Sequence, residues 1–265
     1  NYSVRNVMIC PECSSKNIKD YGMGTEKLEE ELNKMFNARV VRMDVDTTRN
    51  KNSHEDIYNS FKSGEADILI GTQMISKGLD FENVTLVGIL AADMSLNVPD
   101  YRAAEKTFQI ITQVSGRAGR GKKEGKVILQ TYNPSHYSLN YAKNYDYEGF
   151  YNEEFTTRGL MYYPPFGRIL LVNVSSKNEN ALKSFMNLLK NELSKICENE
   201  INIEMLGPVP CIISKIKDNF RWQIIFKGDL SQDFCKKIKD NLYQLNKNVY
   251  NEIKVNIDIN PNNLI

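Results

Sequence analysis

The chain has 265 residues, 25% of them charged and 41% hydrophobic, and its formal net charge is +1. That balance is ordinary for a soluble globular protein with room for one large domain or two ordinary ones, and it neither requires nor excludes a nucleic-acid partner. It does exclude a membrane-spanning chain, since no apolar run is long enough, and a disulfide scaffold, since five cysteines fall without regular spacing.

In chain order, the opening "NYSVRNVMIC" is not a signal peptide. Its first residue is not Met, so we expect the chain to begin inside a longer protein, in a reducing, cytoplasmic setting. "CPEC" (10–13) has the knuckle shape common at zinc sites, but one such pair is half of a four-ligand site. "TEKLEEELNKMF" (25–36) carries Leu28, Leu32, Met35 and Phe36 at helical spacing, with Thr25 as an N-cap. "ARVVRMD" (38–44) reads as a strand, "SHEDIYNSFKSG" (53–64) as a helix and "DILIGT" (67–72) as a buried strand. A strand at 84–90, a helix over roughly 101–118 and a strand at 126–131 follow. Strands alternating with helices predict a parallel sheet covered on both faces, with its chemistry on loops at the carboxyl edge.

Residues 132–165 read as helical connector, stopped by the prolines of "YYPPFGR" (162–168). Beyond it the expected order is a strand (168–175), a helix (178–197), a strand (about 202–206 or slightly longer), a hairpin (211–226), a helix (231–246) and a strand (253–259). That order, βαββαβ, is the ferredoxin-like arrangement. In the hairpin, alternation puts Phe220, Trp222, Ile224 and Phe226 on one face and Arg221, Gln223 and Ile225 on the other. Arg221, with Lys215 and Lys217, can form a basic edge for DNA phosphate or an acidic peptide. Cys197, Cys211 and Cys235 read as small hydrophobes, and His54 and His136 as isolated surface residues.

Two stretches carry chemistry. In "TQVSGRAGRGKK" (112–123), Gln113, Arg117 and Arg120 recur at i, i+4 and i+7, so their side chains can converge on one target. Gly116 and Gly119 would weaken a plain surface helix, but they suit a place where another backbone or a phosphate comes close. Paired guanidiniums there could grip a γ-phosphate. The second stretch, "ILIGTQMISKGLDF" (68–81), runs from a buried strand into a loop rich in backbone and hydroxyl donors.

These two stretches resemble motifs V and VI of superfamily 2 helicases. "RMDVDTT", "AADMSLNVPDYRAAEKTFQIITQVSGRAGR", "VILQTYNP", "YYPPFGR", "LGPVP", "RWQII" and "DINPNNL" follow one another as in the PriA-like family of primosomal replication-restart helicases. The resemblance covers essentially the whole chain. It implies an α/β RecA-like helicase lobe 2 with a parallel sheet at 23–145, after the remnant of a cysteine-rich zinc-binding module at 1–22. A helical connector at 146–165 and an α+β ferredoxin-like C-terminal domain at 166–265 complete it.

The resemblance also assigns roles. Arg117 and Arg120 would be catalytic, reaching the γ-phosphate with Gln113 positioning them. Gly78, Asp80 and Gly116 would lie near the nucleotide. Thr25, Glu26, Thr72, Gln73, Ser76 and Lys77 would face the DNA backbone, with Arg221 as a further DNA contact. The cofactors it implies are ATP with Mg²⁺, held mostly by an upstream lobe, and Zn²⁺ in the full-length protein, with Cys10 and Cys13 as ligands. Its partners would be DNA at replication forks and as single strands, single-stranded-DNA-binding protein and primosome loading proteins, without a membrane. The setting would be the bacterial cytoplasm and nucleoid. No GxxxxGK[ST] occurs in the chain, so the fragment alone is expected not to hydrolyse ATP, and its zinc site is expected to be incomplete. A RecG-like translocase and a non-catalytic docking module are the competing readings.

Overall fold

Short β-branched runs flanked by amphipathic helices form parallel strand pairs in the first half, and longer alternating runs form an antiparallel sheet in the second. The computed structural model describes residues 7–16, 24–48, 53–72, 75, 79, 81–119, 123–198, 200–249 and 253–264. Contacts divide the chain into two units, one of Met8–Val98 and Arg102–Tyr151, the other of Asn1–Val7, Pro99–Tyr101 and Asn152–Ile265.

The first unit contains α1 (Thr25–Met35), β1 (Val40–Met43), α2 (Ser53–Lys62), β2 (Ile68–Gly71), β3 (Leu86–Ile89), α3 (Asp93–Leu96), α4 (Ala103–Ser115), β4 (Lys126–Leu129) and α5 (Tyr137–Lys143). Helix α6 (Tyr147–Leu160) begins in it. Pairing is parallel, as expected, with Val40 opposite Ile68 in β1–β2 and Leu86 opposite Lys126 in β3–β4. The described strands form two separate pairs rather than one continuous ladder. Met43, Leu79 and Phe81 make one core with the apolar side of α2, where Phe61 meets Phe81 edge-on at 4.8 Å. Phe108 and Ile111 of α4 make another with Leu139, Ala142 and Phe150, and Phe108 stacks on Phe150 at 4.3 Å.

In the second unit, β5 (Arg168–Ser176), α7 (Glu179–Cys197), β6 (Ile203–Ile216), β7 (Asn219–Gly228), α8 (Gln232–Val249) and β8 (Lys254–Ile259) give the expected βαββαβ order. The sheet runs β6-β7-β5-β8 and is antiparallel throughout. Leu170, Val172 and Val174 of β5 meet Leu182, Phe185, Met186, Leu189 and Leu193 of α7, and Phe234, Ile238 and Leu242 of α8, in the largest core. Ile224 and Phe226 join it and Phe220 and Trp222 pack against it, which is the expected alternation. Cys197 and Cys235 pack there too, Cys211 is buried, and burial raises the pKa of all three thiols.

The opposite face of this sheet is also covered. Ile169 and Leu171 pack with Leu264, Tyr101, Tyr163 and Ile225. Tyr101 and Tyr163 stack at 5.1 Å, and the Arg158 guanidinium lies 5.1 Å over the Tyr101 ring. Buried Lys227 pairs with Glu204 at 2.9 Å and donates to the Met161 carbonyl at 3.2 Å. The segments "PDYR", "YYPPFGR" and "DINPNNL", far apart in sequence, thus meet on one surface.

Four local expectations are corrected. Position 25 is the first residue of α1 rather than its N-cap, which is Gly24. Helix α4 is shorter than 101–118 and ends at Ser115. The separate strand at 202–206 and the hairpin arm from 211 are one strand, β6, kinked by register shifts where Gly207 takes φ 103. A left-handed glycine beside an edge-strand proline lets the pairing resume instead of ending. His136, read as isolated, caps α5 by accepting from the Ser138 N–H.

Candidate functional site

The end of β1 sets the first cluster. Asp44 is buried and accepts hydrogen bonds from the Thr25 hydroxyl at 2.6 Å, the Thr47 N–H at 2.9 Å and the Asp46 N–H at 3.0 Å. Arg42 lies 3.3 Å from the same carboxylate. The Thr25 bond contributes most to holding the Asp44 carboxyl below its ordinary value, against the opposing effect of burial, with Thr47 and Arg42 adding to it. Glu26 is exposed one residue on. The first turn of α1 is therefore docked on the end of β1 by a carboxylate 19 residues away.

A depressed carboxylate pKa stabilises the fold at pH above the ordinary value and ceases to do so as pH falls through the lowered one. Asp44→Asn should therefore cost about 1–3 kcal/mol at neutral pH, the range for hydrogen bonds to a charged group. The gap between variant and wild type should close as pH drops below 3.8, the ordinary value for this carboxyl. Urea unfolding of the two proteins across pH 3 to 7 (roughly the carboxylate window) measures it.

Strand β2 ends at Gly71, and exposed Thr72 opens the loop that follows. The Ile75 N–H bonds to the Thr72 carbonyl at 3.2 Å, a tight turn directly after the strand. Leu79 and Phe81 return the loop to the core beside Met43. Gln73, Ser76, Lys77, Gly78 and Asp80 lie outside the described residues.

The arginine motif sits at the end of α4. Exposed Gln113 is in its last turn, and the Gly116 N–H caps the helix onto the Thr112 carbonyl at 3.1 Å. The chain then tightens, with Arg117 N–H on Val114 O at 3.0 Å and Ala118 N–H on Ser115 O at 3.2 Å. Arg117 thus leaves the helix, and the convergence expected from unbroken helical spacing does not describe it. Instead a guanidinium Nη of Arg117 donates to the Leu79 carbonyl, 38 residues away. The two chemistry-bearing stretches are brought together by this side chain. Arg120 lies outside the described residues.

Gly119 of the motif serves a backbone approach. Gly119 takes φ 75 and its N–H bonds to Val84 O at 3.0 Å, while a Cβ on Gly125 would stand 2.2 Å from the Gly119 nitrogen. Val84 precedes β3 and Gly125 precedes β4, so the turn lies at the amino ends of that pair. Thr72 lies at the carboxyl end of β2, the edge at which the chemistry was expected, whereas Arg117 lies at the amino ends of β3 and β4. A helix that returns antiparallel to its strands delivers its last residues to the opposite edge.

Elsewhere, Arg221 donates to its own hairpin at Ile213 O, 3.3 Å away, and Lys215 lies 4.7 Å over the Phe220 ring. In "CPEC", Cys10 N–H bonds to Ser15 O and Ser14 N–H to Cys10 O, both at 2.9 Å. The N–H groups of Cys13 and Glu12 and the Cys13 thiol hydrogen-bond to the Cys10 sulfur and lower its pKa. That suits a thiolate donor, yet among the described residues no three His, Cys, Asp or Glu side chains are placed to hold a metal ion. Cys10 and Cys13 fit two ligands of a site and do not make a whole one.

Comparison with known proteins matches both halves of the chain. Residues 11–122 match the "Helicase conserved C-terminal domain" family and residues 159–262 the "Primosomal protein N C-terminal domain" family. The replication restart protein PriA of Bacillus subtilis is 46% identical over 254 residues, 95% of this chain and 31% of that protein. This chain belongs to the PriA family. The PriA of a Synechocystis strain is 40% identical over 98% of the chain, and that of Borreliella burgdorferi 38% identical over 96%. The chain spans about a third of the length of these PriA relatives, at 31%, 31% and 38%, and corresponds to their C-terminal portion. Its first unit has the helicase C-terminal fold and its second the α+β fold of the PriA C-terminal domain. Among solved structures, the designed protein Foldit4 overlaps 37% of the chain at 10% identity, and its TM-score of 0.27 carries no structural argument. Among the described residues, no helix is long and apolar enough to cross a membrane.

Proposed function

We propose that this chain is the arginine-bearing half of the motor of an ATP-dependent DNA helicase with 3′-to-5′ polarity. The whole protein recognises stalled or repaired replication forks and starts primosome assembly. The observation that supports this best is the Arg117 guanidinium, held by a glycine-closed turn against the loop that follows β2. A planar guanidinium with five donors can keep a carbonyl partner and still meet phosphate oxygens. ATP, when bound, supplies the γ-phosphoryl group, and arginine stabilises charge as that group is transferred.

In this reading Arg117 and Arg120 contact the γ-phosphate, Gln113 orients them, and Gly78, Asp80 and Gly116 lie beside the nucleotide. Thr25, Glu26, Thr72, Gln73, Ser76 and Lys77 follow the DNA backbone, and Arg221 adds a contact from the second unit. The phosphate cradle and the Mg²⁺ ligands belong to another lobe, since GxxxxGK[ST] is not in these residues. Cys10 and Cys13 supply two of the sulfur donors of a zinc site in the full-length protein. Its protein partners are single-stranded-DNA-binding protein and primosome loaders, and its setting is the bacterial cytoplasm and nucleoid. Strand separation by the full-length protein on forked DNA is the test. Unwinding that requires ATP and a 3′ entry strand supports the reading, and ATP-independent binding without unwinding defeats it.

A further inference from the structure

The carboxyl ends of β3 and β4 carry a depression that the arginine turn, at their amino ends, does not use. After β3 the chain turns through Ala91, at φ 52, into α3, and after β4 it runs through Thr131, Tyr132 and Asn133. Asp93 ties the two ends together. Its carboxylate is 5% exposed and accepts from the Thr131 hydroxyl at 2.8 Å and the Tyr132 N–H at 2.9 Å. Burial pushes its pKa up, but these bonds more than offset that and leave it lowered, so it is ionised at neutral pH. The depression holds about 370 Å³ and is lined by Asp93, Leu96, Asn97, Tyr132, Asn133 and His136. Tyr132 lines it while staying 81% exposed, with its backbone clamped from below.

The lining selects a ligand class. Among the described residues no lysine or arginine contributes to it, and an ionised carboxylate in the wall repels phosphate. Two carboxamides offer donors and acceptors together, as the edge of a nucleobase requires. An exposed aromatic ring on a fixed backbone offers a stacking face to any base. We propose that this depression receives one unstacked base of single-stranded DNA, stacked on Tyr132 with its edge toward Asn97 and Asn133. The inference rests on the DNA-translocating reading above and extends it to residues that reading does not use.

Affinity of the full-length protein for an oligothymidine, followed by fluorescence anisotropy at several salt concentrations, tests it. Tyr132→Ala and Tyr132→Leu should each weaken binding by about fivefold or more, the low end for loss of one base–aromatic stack, and Tyr132→Phe should stay near wild type. The salt dependence should not change, because tyrosine neutralises no phosphate. Wild-type affinity in Tyr132→Ala, or an equal loss in Tyr132→Phe, overturns the base site and leaves the DNA-binding reading intact. A wild-type protein with no affinity for the strand overturns both.

Discussion

Replacing Arg117 with alanine in the full-length protein should lower DNA-stimulated ATP hydrolysis by about 10³-fold or more, the effect expected of an arginine acting on the transferred phosphoryl group. Affinity for DNA should hardly change. The expectation follows from placement. Arg117 leaves α4 in a turn that Gly119 and Gly125 close by backbone contact, and its guanidinium reaches the loop after β2. A side chain in that position serves geometry more than stability, so thermal unfolding of the variant should stay close to wild type. Arg117→Lys should fall almost as far, because a lysine ammonium keeps the charge and loses the planar fork. Steady-state hydrolysis at saturating single-stranded DNA reads the effect. A fall in DNA affinity with turnover preserved would instead make Arg117 a backbone contact.

The second large effect is on folding. Phe226→Ala should destabilise the second unit by about 3–5 kcal/mol, the usual cost of removing a buried phenylalanine. Phe226 is fully buried, lies opposite Leu170 and Met205 across the sheet, and meets Phe234 of α8 edge-on at 5.7 Å. Its removal leaves a void between the sheet and α8 that the fully buried side chains of α7 cannot fill without moving. Trp222, the one tryptophan in the chain, lies in β7 beside that core and reports on this unit. Its fluorescence transition in urea should shift to lower denaturant with little change in slope, as for a lost packing contact. A loss below about 1 kcal/mol, the level of a surface change, would contradict the core described here.

What could be read in advance depended on how local each signal was. The alternation from Phe220 to Phe226 stated which side chains enter the core, because a strand has a period of two. The βαββαβ order was visible for the same reason, through long and strongly patterned segments. Gly207, Pro208 and Pro210 lie between the two strands expected here, and β6 runs through them. At a sheet edge a proline leaves no internal ladder bond unmade, and a bulge absorbs the glycine. Thr25 looked like a cap from its neighbours, but Asp44 claims its hydroxyl from 19 residues away. Tyr101 sits in sequence just before α4 yet belongs to the second unit, where it packs with Tyr163 and Leu264, which periodicity cannot anticipate.

The arginine motif departs from the geometry that its helical spacing suggests. At Gly119 the close approach suggested by the glycine is made by the chain's own backbone at Gly125. The helical register that seemed to align Gln113, Arg117 and Arg120 ends at Ser115, so the arginine is aimed by a turn. Asp93 was passed over entirely. Nothing in "AADMS" distinguishes a buried carboxylate from an exposed one until β4 brings Thr131 and Tyr132 beside it.

In the proposed reading, these residues hold the arginine side of a nucleotide site completed elsewhere in the protein. ATP hydrolysis by the purified 265-residue chain, with saturating single-stranded DNA and beside the full-length protein, tests it most directly. The account predicts DNA-stimulated turnover in the full-length protein and background hydrolysis in the chain. Turnover by the chain at a rate comparable to the full-length protein would contradict it.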